Sequence, residues 1–507
     1  MHILRLLIAA CLPALPLGAA EKPRAIVIFY ADDLGYNDTS TYGCEKVPCP
    51  HLDRLATEGL RFTNAHSTTS VCTPSRYSLL TGEYAWRRKD TNILPGDAKL
   101  ILPTKEERAT LPSLMQQAGY RTAVIGKWHL GLGRGEEPTD WNRHIAPGPN
   151  EVGFDHAFIL AATGDRVPCV YLENGHVVGL DPADPIQVSY KTPFPGEKQG
   201  STHPELLKPH AHSNGPQHNC TIVDGIPRIG HMSGGTAALW KDQDMADRLT
   251  EEAIRFIRES AAMDKPIFLY FATNDIHVPR DPHPRFVGKS RMGIRGDVTV
   301  QMDDCLGRLR AALTENGYGD CLFIFSSDNG PVINDGYWDG SIRDCAGHNP
   351  VAPMGMGHYQ NGKLTGGKYG IMEGSTCVPF IVCRPGHVPA NEVTHALVSQ
   401  VDLARSLAEL VGVEVPAGAL PDSRNELPAL TGKNRQGAPY IIEQSPGRLL
   451  AIRQGEWKYY RRGKQEHLYN LSADPKEEHN VAQQNPETVQ QLYRLLQRAQ
   501  EPPQPIK

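Results

Sequence analysis

The stretch Arg24-Ala25-Ile26-Val27-Ile28-Phe29-Tyr30 runs straight into Ala31-Asp32-Asp33-Leu34-Gly35. A short, nearly continuous apolar run rich in β-branched residues is what a parallel strand buried on both faces requires. Two adjacent carboxylates directly after it sit where open α/β sheets build their sites, outside the carboxyl ends of the strands. Similar runs recur at Thr122–Ile125, Ile267–Phe271, Leu322–Phe325 and Val378–Val382, and helical patterns lie between them at Leu52–Gly59, Leu111–Gly119, Met245–Ser260 and Thr299–Asn316. Such alternation predicts an α/β fold with a large, mainly parallel sheet covered by helices.

Outward from this frame, residues 163–235 are rich in Pro, Gly and His without periodicity, too long for a plain loop, and read as an ordered insertion over the site. Near the C-terminus, alternating segments at Tyr440–Glu443, Leu449–Arg453, Trp457–Tyr460 and His467–Asn470 precede a helical pattern at Pro486–Ala499. They predict a small antiparallel sheet with a helix. The expected division is a leader over 1–20, a catalytic domain over 21–438 and a C-terminal subdomain over 439–507.

The 507 residues carry Lys+Arg 52 against Asp+Glu 57, a net charge of −5, which offers nucleic acid or acidic lipid no long-range attraction. Any anion specificity must be local. The composition excludes a disordered chain, and neither collagen-like nor heptad periodicity is present. The first twenty residues place His2 and Arg5 before an apolar run ending in Gly18-Ala19-Ala20, the pattern of a secretory signal. Pro13 and Pro16 interrupt the run, so no membrane span is expected there or elsewhere. Export to the periplasm or medium is expected, with a lipid-anchored form at Cys11 as an alternative. Among eleven cysteines, Cys44 and Cys49 flank a Pro-containing turn and could close a short bridge.

The richest stretch is Val71-Cys72-Thr73-Pro74-Ser75-Arg76-Tyr77-Ser78-Leu79-Leu80-Thr81-Gly82. It is similar to the type I sulfatase signature C-x-P-S-R-x-x-L-L-T-G, with every specified residue present. The resemblance extends in order through Asp32-Asp33, Gly126-Lys127-Trp128-His129-Leu130-Gly131, Asn274-Asp275-Ile276-His277-Val278-Pro279, Ser327-Asp328-Asn329-Gly330 and Gly366-Gly367-Lys368. It implies an alkaline-phosphatase-like fold and hydrolysis of a sulfate ester, of a sulfated carbohydrate or an aryl sulfate. It also implies oxidation of Cys72 to formylglycine by a maturation enzyme. A hydrated aldehyde offers what serine lacks: one hydroxyl to attack sulfur and a second whose deprotonation expels sulfate.

Asp32, Asp33, Asp328 and Asn329 offer only oxygen ligands and, with the diol at position 72, suit calcium better than zinc, with magnesium second. Arg76 lies one helical turn beyond Cys72, where a fixed guanidinium could hold the oxyanion. Lys127 and His129 alternate on one side of an extended strand end. The resemblance implies that Lys127 contacts sulfate and His129 steadies or deprotonates the non-attacking hydroxyl. His277 and Lys368 are expected at the ester oxygen, with His277 the choice for acid because its ordinary pKa lies near neutrality. Thr163 and Arg166 are candidate substrate contacts, and Trp338, Arg343 and His358 candidate rim residues. Glu373-Gly374-Ser375 departs from the family's usual E-G-G. The rival readings are a phosphatase or phosphonate monoester hydrolase of the same superfamily, and a sulfated-glycan-binding protein that has lost chemistry.

Overall fold

The computed structural model describes residues 22–213, 215–332, 336–344 and 358–501. The leader and Cys11 lie outside the described residues. Ten strands form one sheet: β1 (Ala25–Ala31), β2 (Leu60–Phe62), β3 (Arg121–Lys127), β4 (His156–Leu160), β5 (Tyr171–Glu173), β6 (His176–Val177), β7 (Ile267–Ala272), β8 (Cys321–Ser327), β9 (Phe380–Cys383) and β10 (Glu392–Thr394). Their spatial order is β10-β2-β9-β8-β1-β7-β3-β4-β5-β6. The centre, from β8 through β1, β7 and β3 to β4, is parallel. Every residue of β1 and β7 is buried, so both faces of the sheet are covered, as the unbroken apolar runs require.

The main helices are α1 (Pro50–Glu58), α2 (Cys72–Thr81), α3 (Leu111–Gln117), α4 (Met245–Ala262), α5 (Gly293–Glu315), α6 (Leu403–Leu410) and α7 (Pro486–Gln500). None is long and apolar enough to cross a membrane among the described residues. One expectation needs correcting: the run at Val378–Val382 becomes β9, which is antiparallel to β8. The chain leaving β8 passes through the site and re-enters the sheet from the same end, so no crossover reverses it.

The insertion is ordered by short paired strands, Gln187–Ser189 with His231–Ser233 and Ile222–Val223 with Ile226–Pro227. The C-terminal sheet is β11 (Ile441–Gln444), β12 (Leu450–Gln454), β13 (Trp457–Arg462) and β14 (Gln465–Asn470), antiparallel throughout, with α7 packed on it. Its first strand clasps the segment that leads into α2: Ser70 N–H donates to Gln444 O at 2.9 Å, and Gln444 N–H to Thr68 O at 3.0 Å. Beneath that clasp lies a buried ionic cluster. Lys458 Nζ stands 2.9 Å from Glu443, 3.2 Å from Glu373 and 4.0 Å from Glu477, while Arg453 reaches Glu373 at 3.2 Å and His66 reaches Glu443 at 3.0 Å. Glu373, the first residue of the Glu373-Gly374-Ser375 segment, is thus an ionic partner of the C-terminal sheet.

Cys44 and Cys49 do not form the expected bridge, because their thiols face different partners. Cys44 Sγ lies 3.6 Å from His358 Nδ1, and Cys49 faces the Val47 carbonyl at 3.8 Å. All nine described cysteines are free.

Candidate active site

Strand register assembles the centre. Ala31 at the end of β1 pairs with Ser327 at the end of β8, so Asp32-Asp33 and Asp328-Asn329 leave neighbouring strands side by side. Lys127 ends β3, and His277 follows β7. The site therefore sits at the carboxyl ends of adjacent parallel strands.

Cys72 opens α2, whose ten residues are all buried, after an extended Val71. Pro74 falls in the first turn, where backbone N–H groups have no intrahelical acceptor to lose. Position 72 thus occupies a helix N-terminus, which favours negative charge. One turn on, Arg76 is pinned: Nε and Nη2 donate to Asp328 Oδ2 at 3.0 and 2.8 Å, and Nη1 donates to the Lys127 carbonyl at 3.1 Å. Its guanidinium also lies over the Tyr30 ring, 5.4 Å from the centroid.

The carboxylates are matched by cations. Lys127 Nζ donates to Asp32 Oδ2 at 2.5 Å and Lys368 Nζ to Asp33 Oδ2 at 2.9 Å. Burial opposes ionisation of Asp32 and Asp33, yet Lys127 beside the first and Lys368 beside the second hold both below the usual carboxylate range. Asp328 goes the other way, pushed up to about 7 by burial and the Asp32 charge despite Arg76. Burial opposes the charge on Lys368, but Asp33 keeps it well above the ordinary lysine range.

The donor set fits a hard divalent cation. Asp32, Asp33, Asp328 and Asn329 bring oxygen alone, and Asp32 Oδ1 and Asn329 Oδ1 are buried without any hydrogen-bond partner. A buried acceptor left so is costly unless something electropositive faces it. Asp33 is also held by its backbone: it adopts φ +59°, and buried Arg295 donates to its carbonyl at 2.9 Å and to Asp38 Oδ2 at 2.6 Å.

His129 is the second residue here in the left-handed region, φ +57°. Its Nε2 lies 2.8 Å from the Leu94 carbonyl, which can only accept, so that nitrogen carries the proton. Burial, then Lys127, keeps the ring neutral by drawing its pKa well below the ordinary histidine value. The bare Nδ1 therefore faces Cys72 Sγ at 3.3 Å. His277 is arranged alike: Nδ1–H donates to the Val278 carbonyl at 2.7 Å, leaving Nε2 3.8 Å from Asp33 Oδ2. Burial and Lys368 draw its pKa down to about 4.

A pocket opens above position 72. It is lined by Cys72, His277 and Lys368 together with Asp165, Arg166, Gln217, His218 and Tyr369. The insertion does lie over the site. Arg166 faces the pocket as expected, whereas Thr163 is not among its lining residues: its hydroxyl contacts Asp165 and accepts from Arg166 Nη1 at 3.0 Å. Lys127 is likewise absent from the lining and is held against Asp32.

Two rim expectations are corrected. His358 is buried, 2.9 Å from Asp38 Oδ1, and that carboxylate outweighs burial to raise its pKa to about 9. Trp338 is 57% exposed, stacked on His212 at 5.7 Å and outside the pocket lining. The Arg343 side chain lies outside the described residues. Gln217, His218 and Tyr369 were not foreseen; only the adjacency of Tyr369 to Lys368 could have marked it.

A sulfatase family model matches residues 24–413, and a model described as N-sulphoglucosamine sulphohydrolase, C-terminal, matches residues 367–502. The chain is 47% identical over 495 residues to an N-acetylgalactosamine-6-O-sulfatase of Bacteroides thetaiotaomicron, covering 94% of this chain and 93% of the relative. It is 30% identical over 515 residues to arylsulfatase A of Homo sapiens, covering 94% and 88%. A solved structure concerned with metabolism of multiple glycosaminoglycans by Bacteroides thetaiotaomicron superposes with a TM-score of 0.88 at 46% identity, covering 94% of this chain and 99% of that one. The architecture is alkaline-phosphatase-like. With the carboxylate centre and the position-72 helix laid out at the strand ends, these matches place the chain in the sulfatase family, as a sulfuric ester hydrolase.

Proposed function

We propose that this protein is an exported, calcium-dependent sulfatase that removes the 6-sulfate of N-acetylgalactosamine or a closely related sugar. The substrate reading is supported by near full-length identity to a relative named for that activity. When present, a hydrated formylglycine at position 72 supplies paired hydroxyls for attack on sulfur and for later release of sulfate, and a divalent cation supplies charge that favours an ionised oxygen there. Asp32, Asp33, Asp328 and Asn329 would hold that cation.

The remaining work falls to the side chains. Cys72 Sγ marks where the hydroxyl oxygens would stand, so His129 Nδ1, bare and 3.3 Å away, is placed to take the proton of one of them. Arg76, fixed on Asp328 one helical turn beyond position 72, would supply a permanent positive charge to the same oxygens. Lys368 and Arg166 line the pocket and hold sulfonyl oxygens, while Lys127 compensates Asp32. His277 lines the pocket, and its Nε2, left bare by the Nδ1–H bond to Val278 O, serves the leaving oxygen.

The observation that carries the chemistry is the pairing of position 72 with a neutral His129 whose proton is committed elsewhere. The test is direct. Protein produced with a formylglycine-generating enzyme is given N-acetylgalactosamine 6-sulfate, its 4-sulfate isomer and the 6-phosphate, and the peptide containing position 72 is weighed. Sulfate release from the 6-sulfate and a residue in which oxygen has replaced sulfur with loss of two hydrogens are expected. Cys72→Ala should fold but lose nearly all turnover. Phosphate release exceeding sulfate release, or full activity with an unmodified Cys72, would overturn the reading.

A further inference from the structure

The sulfate end of any substrate is met by the charges at the pocket floor, so substrates differ only in the alcohol that projects toward the mouth. Tyr369 stands there. The residue is 51% exposed, it lines the same pocket as Cys72, His277 and Lys368, and the Lys368 ammonium lies 5.6 Å from its ring centroid. Among the described lining residues it is the one phenyl-type ring.

Its backbone makes the placement informative. Tyr369 has φ +72°, a conformation that glycine adopts freely and a bulky side chain does not. Gly366, Gly367 and Gly370 surround it, so this loop has glycine on either side and a tyrosine at a position that strains one. The strained turn is fixed by Tyr369 N–H donating to Ser70 O at 3.0 Å and Lys368 N–H donating to Pro331 O at 2.9 Å. Strain held this firmly beside a reaction centre calls for a purpose for the side chain.

We propose that the Tyr369 ring is the wall on which the sulfated pyranose lays its C–H face, making Tyr369 a specificity-determining residue for a ring-shaped sugar. This rests on the carbohydrate reading above. A pyranose is amphipathic, with hydroxyls along its edge and C–H bonds on its face. The pocket offers both partners from two separate segments: Asp165 and Gln217 of the insertion as acceptor and donor, and Tyr369 as a flat apolar surface that loses little conformational entropy on contact. The phenol hydroxyl is not needed for this role.

The test uses the matured enzyme and the variants Tyr369→Gly and Tyr369→Phe. Glycine removes the ring and relaxes the turn, so its melting temperature should hold or rise. Its KM for N-acetylgalactosamine 6-sulfate and its inhibition constant for unsulfated N-acetylgalactosamine should both rise by about tenfold, the scale of one aromatic contact. Inhibition by inorganic sulfate should stay within about twofold, since the floor is untouched. Phenylalanine should restore most of the sugar affinity. Unchanged sugar constants in Tyr369→Gly would overturn the proposal, and so would a loss in Tyr369→Phe as large as in Tyr369→Gly. A parallel weakening of inorganic sulfate would also overturn it, by reporting a displaced Lys368 loop. If the unaltered enzyme cleaves an aryl sulfate yet no sugar sulfate, the carbohydrate reading itself fails and takes the wall with it.

Discussion

Replacing Lys458 by Met should unlock the joint between the catalytic sheet and the C-terminal sheet. The ammonium is fully buried, 2.9, 3.2 and 4.0 Å from three carboxylates that are themselves buried. At an effective dielectric of about 20 these contacts amount to about 15 kcal/mol of gross attraction. The loss cannot reach that figure, because a carboxylate deprived of its cation takes up a proton instead; breaking buried pairs typically costs about 3–5 kcal/mol. One carboxyl is already near that point, with burial pushing Glu477 up to about 7. For a chain of 507 residues unfolding entropy is about 1 kcal/mol per degree, so the melting temperature should fall by about 3–5 °C.

The pH dependence fixes the cause. In the variant the folded pKa of Glu443 or Glu373 rises above its unfolded value, so the bound proton stabilises the fold at low pH and this help is lost as pH rises. Scanning calorimetry should therefore show a larger deficit at pH 8 than at pH 5.5, and adding Glu443→Gln should recover part of it. A shift below about 1 °C at pH 8, or an equal shift at both pH values, would refute the argument.

Two further outcomes follow from the site. Exhaustive chelation should abolish sulfate release and lower the melting temperature, calcium should restore both better than zinc, and Asp328→Ala should remove the thermal response to calcium; full turnover in metal-free protein would contradict the ligand assignment. His277→Ala should slow a sugar sulfate more than an activated aryl sulfate, by about tenfold or more in the ratio, because a poor leaving group needs its proton in the transition state. Since burial and Lys368 hold His277 near 4, its protonated fraction grows as pH falls from 7 toward 5, so sugar-sulfate turnover should rise over that range and the rise should vanish in the variant. Equal losses on both substrates would transfer the role to Lys368.

What could be read in the chain and what could not divides along sequence distance. The apolar run before Asp32 implied a buried parallel strand, and the spaced motifs pointed to residues that strand ends bring together. The short flanking strand β4 has the same character in His156-Ala157-Phe158-Ile159-Leu160, but an apolar run of that length cannot be told from a buried helical segment by periodicity alone. The direction of β9 depends on where the chain re-enters the sheet, which no local pattern encodes. Gln217 and His218 belong to an aperiodic insertion, and their approach to Cys72 depends on pairings such as Ile222–Val223 with Ile226–Pro227. His358 lies in a stretch expected to rim the pocket, and nothing nearby in the sequence marks its partner Asp38, which lies 320 residues away.

Cys72 is 1% exposed, inside a helix with no exposed residue. An enzyme that oxidises a side chain must wrap its own active site around it, and nothing of that size reaches this thiol once the sheet and insertion have closed. If position 72 is matured as proposed, conversion happens while the segment is still extended, which makes it a race against folding. Any chain that folds first is sealed with an inert thiol at the reaction centre. Preparations of this protein should consist of fully competent and fully dead molecules in a ratio set during synthesis, and exposure of the folded material to the maturation enzyme should not change that ratio.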